Sequence, residues 1–197
     1  MRIILASASR VRAGLLRQAG LEFDVKPPHV DEDEIKLSLR AEKAPPQQVA
    51  EALAELKARR VSDPGDQSFV IGCDQMLACG DDWFDKPTDL ATARRQLLAL
   101  RGRTHHLHAA VAVARGGGIV WRHRQSAALT MRSFSEAFLD AYLAQAGAAV
   151  LTSVGGYQLE SLGVQLFERI EGDYFTILGL PLLPLLDFFR ANNLMRT

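Results

Sequence analysis

Strand patterns and helical patterns alternate along this 197-residue chain, and the pattern predicts a mixture of both element types throughout. Three stretches carry the prediction. Phe69-Val70-Ile71-Gly72-Cys73-Asp74-Gln75-Met76-Leu77 has the apolar run of a strand buried on both faces. Ile3-Ile4-Leu5-Ala6 is a short strand, and after it Val11, Leu15, Leu16 and Ala19 recur at helical spacing. Leu107 to Ala114 and Ile119 to Thr130 flank Gly116-Gly117-Gly118, a hairpin signal.

The elements follow in order. Ser7-Ala8-Ser9 joins the first strand to the first helix, which Gly20 stops. A strand leading through small hydroxyl residues into a helix aims N–H groups at one point, and the helix dipole makes that point attractive to anions. Arg12 lies one turn in, although a serine before a helix is most often only its cap. Glu22 to Val25 reads as a second strand, and His29-Val30-Asp31-Glu32-Asp33-Glu34 as a solvated acidic loop. The functional alternative for that loop is one carboxylate turned inward to help hold a cation.

Pro45-Pro46 opens a helix whose apolar stripe is Val49, Ala50, Leu53, Leu56 and Val61, with Lys57 near its end. Asp63-Pro64-Gly65-Asp66 is a turn into the buried strand, and Gly80-Asp81-Asp82 a hairpin turn out of it. Leu90 to Leu100 is a helix closed by Gly102. Arg122-His123-Arg124 reads as a solvated strand edge. Ser133-x-x-Glu136 reads as a capping box for a helix through Leu143, Val164 to Ile170 as a strand, and Pro184 to Phe189 as the start of the last helix.

The bulk numbers narrow the function classes. The chain is long enough to bury a substantial core, and with no repeat or long linker it reads as one domain over residues 1–197. Lys+Arg and Asp+Glu each total 23, and the zero net charge counts against a nucleic-acid coat or a polybasic membrane binder. Two cysteines, Cys73 and Cys79, are too few for a disulfide framework and lack zinc-site partners. The N-terminal apolar run is too short for a signal-peptide core. The apolar run Ile177 to Phe189 is broken by Gly179, Pro181, Pro184 and Asp187, so it does not cross a bilayer. The expectation is a cytoplasmic protein without a membrane or nucleic-acid partner.

Asp74 is out of place in its apolar run. An uncompensated carboxylate leaving water costs on the order of several kcal/mol. The local pattern leaves two readings open: a compensated functional carboxylate, or a turn cap past the strand's end. Elsewhere, Glu32 and Glu160 are further carboxylates set against their surroundings, and Arg12, Lys57 and Lys86 are cations at element ends. Brought to one cleft, these groups suit a phosphorylated ligand with a divalent metal. The sequence has no GxxxxGK[ST] loop, no GxGxxG and no Gly-x-Ser-x-Gly elbow.

Taken in order, these residues resemble the Maf family of nucleotide pyrophosphatases. The match runs through Leu5-Ala6-Ser7-Ala8-Ser9 with Arg12, Val30-Asp31-Glu32, Leu56-Lys57-Ala58, Ile71-Gly72-Cys73-Asp74-Gln75 and Lys86-Pro87. It continues through Leu100-Arg101-Gly102-Arg103-Thr104-His105, Gly155-Gly156-Tyr157, Glu168 to Tyr174 and Gly179-Leu180-Pro181-Leu182. The resemblance implies a Maf/ITPase-like two-lobed α/β fold with a long twisted mixed sheet and a central cleft, often in a homodimer. It implies hydrolysis of nucleoside triphosphates to the monophosphate and pyrophosphate with Mg²⁺ or Mn²⁺. By matched motif, Asp74 is the proton acceptor or metal-bound activator of water, and Glu32 shares the metal. Arg12, Lys57 and Lys86 grip the phosphates, with Ser7 and Ser9 as added donors.

One motif departs from the family. Where the family has Ser-Pro-Arg-Arg, this chain has Ser9-Arg10-Val11-Arg12. Gln75 and Glu160 look like the branch acting on 7-methyl-GTP, whose cationic base suits a carboxylate. The dTTP/UTP branch has threonine and glutamine at those positions, and Val11 does not choose between the branches. The alternatives are a dTTP/UTP pyrophosphatase, or a nucleotide-binding module in cell division with little turnover, as the family's older description as a septum-formation inhibitor suggests.

Overall fold

The computed structural model describes residues 1–196; Thr197, the last residue of the expected domain, lies outside the described residues. In chain order the elements are β1 (Ile3–Ala6), α1 (Arg10–Gln18), β2 (Asp24–Val25), α2 (Glu32–Ala41), α3 (Pro46–Val61), β3 (Phe69–Cys79) and β4 (Asp82–Phe84). They continue with α4 (Leu90–Leu100), β5 (Thr104–Arg115), β6 (Gly118–Met131), α5 (Glu136–Ala146), β7 (Phe167–Glu171), α6 (Tyr174–Ile177) and α7 (Leu182–Ala191). The fold is α/β, with a seven-stranded mixed sheet in the order β2-β1-β3-β5-β6-β7 and β4 paired to β3. The chain forms two compact units, Met1–Gln75 with His108–Ser126 and Asp173–Thr197, and Met76–Leu107 with Ala127–Gly172.

In the first unit β1 runs parallel to both β2 and β3, with Leu5 opposite Ile71 and Ala6 opposite Gly72. Leu5, Leu16, Phe69, Ile71, Val113 and Phe189 are among the side chains closing its core. Each such burial stabilises by roughly 1.5–3 kcal/mol. Helix α3 starts on Pro46, where a missing N–H costs nothing, and buries Val49, Ala50, Leu53, Ala54, Lys57, Ala58 and Val61. Those residues recur every three or four positions, so Lys57 occupies a place in the apolar stripe.

In the second unit β3 and β4 form an antiparallel hairpin, and β6 pairs antiparallel with β7. Arg94 on α4 bonds Glu136 and Asp140 on α5. His105 is fully buried between Tyr157, whose hydroxyl is 2.7 Å from its Nε2, and the ring of Phe167. Burial holds the His105 imidazole neutral, its pKa lowered to about 3, with a smaller contribution from His106. Between 6.5 and that value the unfolded chain binds a proton the folded chain refuses. Stability therefore falls as pH falls, by about 1.4 kcal/mol per unit from this group. Urea melts at pH 7 and pH 4.5 should show a smaller loss for His105→Gln than for the wild type.

Several expectations need correcting. The acidic run is no loop: Asp31 caps α2, accepting the Glu34 N–H, and Glu32, Asp33 and Glu34 fill its first turn. Carboxylates are favoured there by the helix dipole, a signal as strong as solvation. The cap of α5 is Ser135, which accepts the Phe138 N–H, so Ser133-x-x-Glu136 is not the capping box. Val164 belongs to a 3₁₀ turn, Leu162–Leu166, and the strand begins only at Phe167. The second strand shortens to two residues, and the last helix starts two residues before Pro184. Arg122 and Arg124 are exposed as read, but they reach Glu55 and Glu51 on α3. Among the described residues no helix is long and apolar enough to cross a membrane.

Candidate active site

Asp74 lies inside β3, not past its end, and is 4% exposed. Its compensation comes from α3. Lys57 Nζ stands 2.6 Å from Asp74 Oδ1 and 2.7 Å from Glu32 Oε1, so one buried ammonium joins the strand to the first residue of α2. The inward-turned carboxylate of the acidic run is thus Glu32. Gly72 makes this approach possible. A Cβ there would stand 2.1 Å from the Ala54 carbonyl oxygen and 2.6 Å from the Ala58 nitrogen, so only glycine lets α3 lie this close to β3.

Burial pushes the Asp74 carboxyl above its ordinary value; Lys57 and Arg12 pull it back without cancelling the effect. A carboxylate with a raised pKa beside an ammonium is suited to taking a proton.

The parallel register of β1 and β3 carries Ser7 and Ser9 past the end of β1, beside the strand of Asp74. Ser7 is buried and its Oγ accepts the Ser9 N–H at 3.2 Å; Ser9 caps α1, accepting the Arg12 N–H at 3.3 Å. The Arg12 side chain is bonded to two main-chain carbonyls. Its Nε donates to the Gly179 carbonyl at 2.8 Å and its Nη1 to the Cys73 carbonyl at 2.9 Å. Gln75 Nε2 likewise donates to the carbonyls of Thr176 and Ile177, both at 3.0 Å. Arg12 and Gln75 together tie the segment from α6 to Gly179 to the residues flanking Asp74. Gly179 has a φ of 89°, and a Cβ on it would meet Arg12 Nη2 at 3.2 Å and Nε at 3.3 Å.

Val11 is half-buried on α1. Lys86, exposed after β4, and Glu160, exposed after the Gly155-Gly156 turn, belong to the second unit. The first unit therefore gathers Glu32, Lys57 and Asp74 directly, with Ser7, Ser9, Val11, Arg12 and Gln75 on the elements around them.

Sequence reasoning gave no individual role to Gly72, Thr176 or Gly179. A glycine within a strand marks close backbone approach, and that signal was present at Gly72. Nothing local announces which carbonyls Arg12 and Gln75 would choose.

The donor set fits Mg²⁺ or Mn²⁺. Two hard carboxylates already converge on one cation, and both ions favour oxygen ligands. Among the described residues no group of three or more His, Cys, Asp and Glu gathers at ligand spacing.

The sequence is similar to that of known proteins. A family model described as Maf-like protein matches residues 2–192. A nucleoside triphosphate pyrophosphatase of Paramagnetospirillum magneticum is 59% identical over 190 residues, covering 96% of this chain and 98% of its own. One of Granulibacter bethesdensis is 54% identical, covering 98% of each chain. A 7-methyl-GTP pyrophosphatase of Mesorhizobium japonicum is 50% identical, covering 96% of each.

Proposed function

Since the chain belongs to the Maf family, we propose that Glu32, Lys57 and Asp74 form the catalytic centre of a nucleoside triphosphate pyrophosphatase that prefers 7-methyl-GTP. The chain is a hydrolase of nucleoside triphosphates. The observation that carries the assignment is the buried Asp74 carboxylate held 2.6 Å from the Lys57 ammonium. A buried ion pair at this point of an apolar strand is costly, and a need for a proton acceptor accounts for it.

In this reading Asp74 takes the proton of the attacking water, and Asp74 and Glu32 would hold Mg²⁺ or Mn²⁺. When bound, the metal lowers the pKa of water and offsets phosphate charge. Lys57 donates to phosphate oxygens, stabilising the charge that builds on the departing pyrophosphate. Ser7 and Ser9 face the phosphates from the N-terminal end of α1, where N–H groups favour anions. Arg12 contributes its charge mainly by position, since its guanidinium also fastens Gly179 beside β3. The roles of Lys86 on phosphate and Glu160 on the base rest on the matched motifs. The reading takes residues 1–197 as one catalytic domain, and includes a homodimer.

The choice of 7-methyl-GTP rests on Gln75 and Glu160 and is supported by the name of the Mesorhizobium japonicum relative. Pyrophosphate release should be measured on 7-methyl-GTP, GTP, UTP and dTTP with Mg²⁺. The expected result is the highest kcat/KM for 7-methyl-GTP, and an advantage over GTP that Glu160→Gln reduces at least about tenfold, as loss of a charged hydrogen bond would. Preference for UTP and dTTP would keep the chemistry and overturn the choice of base.

A further inference from the structure

Lys57 is 7% exposed, and its ammonium lies within hydrogen-bond distance of both carboxylates assigned to the metal. An ammonium and a divalent ion compete for the same hard oxygens. Lys57 offsets one of the two negative charges. A divalent ion entering beside it would set cation against cation at short range. The same lysine is also needed by the substrate, whose phosphates are the alternative acceptor for its three protons.

We propose that Lys57 is the resident counter-cation of the Glu32–Asp74 pair and exchanges with the divalent metal, a proposal that rests on the reading of those two residues as its ligands. With Glu32 and Asp74 holding the metal, Lys57 Nζ would be released from them and would donate to the phosphates. No bond other than hydrogen bonds and metal–oxygen contacts changes in this step. Without nucleotide the displaced ammonium has no anionic acceptor of equal strength, so the free protein holds the metal weakly. Nucleotide supplies that acceptor, so metal and nucleotide strengthen each other's binding, as reciprocal coupling requires. The flexible four-carbon stem of lysine allows such a swing, and a planar guanidinium forked onto carboxylates would not.

The test is Mn²⁺ binding without nucleotide at pH 8, read from the electron paramagnetic resonance of free Mn²⁺, with folding of each variant checked by circular dichroism. Lys57→Gln should bind Mn²⁺ about tenfold tighter than the wild type, within the usual range of such couplings. Lys57→Arg, which keeps a cation in place, should bind no tighter than the wild type. Folded Lys57→Gln with equal or weaker affinity overturns the exchange. Asp74→Asn separates the two levels of the argument. If it abolishes binding while Lys57→Gln fails to tighten it, the exchange alone is wrong. If Asp74→Asn leaves the affinity untouched, the ligand assignment falls and the exchange falls with it.

Discussion

Asp74→Asn should slow pyrophosphate release by about 10²–10⁴-fold, the usual contribution of a positioned general base. The amide keeps the shape of the carboxylate and loses both its basicity and its negative charge. KM should change much less than kcat if water activation is the main role, because the substrate phosphates are held by cations. The wild-type rate should rise with pH as the Asp74 carboxyl loses its proton. Asp74→Asn should lack this rising limb. A variant that kept full activity would remove Asp74 from the chemistry. Circular dichroism guards against a trivial loss, since the substitution leaves Lys57 paired with Glu32.

The second large effect belongs to a residue that touches no substrate. Gly72→Ala puts a methyl group 2.1 Å from the Ala54 carbonyl oxygen and 2.9 Å from the Ala58 Cβ. Both contacts are with the body of α3, not with the end of a flexible side chain. The helix must move away from β3, and Lys57, one residue before Ala58, moves with it. Overpacking of this kind costs about 3 kcal/mol, at the upper end of its usual range. For a chain of this length that lowers Tm by roughly 10 °C. Activity at a temperature where the variant is still folded should fall about 10²-fold, as a displacement near 1 Å typically causes. Gly14→Ala on α1, where a Cβ meets nothing within 4 Å, is the control and should not lower Tm.

Much of this architecture was legible because it is written in local pattern. The apolar run from Phe69 to Leu77 announced β3, and α4 was placed over the same residues, Leu90–Leu100, that it occupies. Asp74 stood out because a charge interrupts an apolar strand. Lys57 was equally conspicuous in principle. It lies four residues after Leu53 and four before Val61, in the stripe that α3 buries, yet it reads as a helix-end cation if the stripe is drawn through Leu56. Helix α2 was hidden by its own acidity, because a run of carboxylates fits a solvated loop and a first helical turn alike. The ties from Arg12 and Gln75 to the segment ending at Gly179 were beyond sequence. They join residues more than a hundred positions apart, and the choice of carbonyl follows from the packing of the finished unit.

The product analysis of one reaction tests the whole account most directly. A nucleoside triphosphate incubated with the protein and Mg²⁺ should yield monophosphate and pyrophosphate in equal amounts, both formed at least about 10²-fold more slowly when Asp74 is replaced by asparagine. Release of orthophosphate with the nucleoside diphosphate would contradict it, and so would nucleotide bound at saturating Mg²⁺ but returned intact.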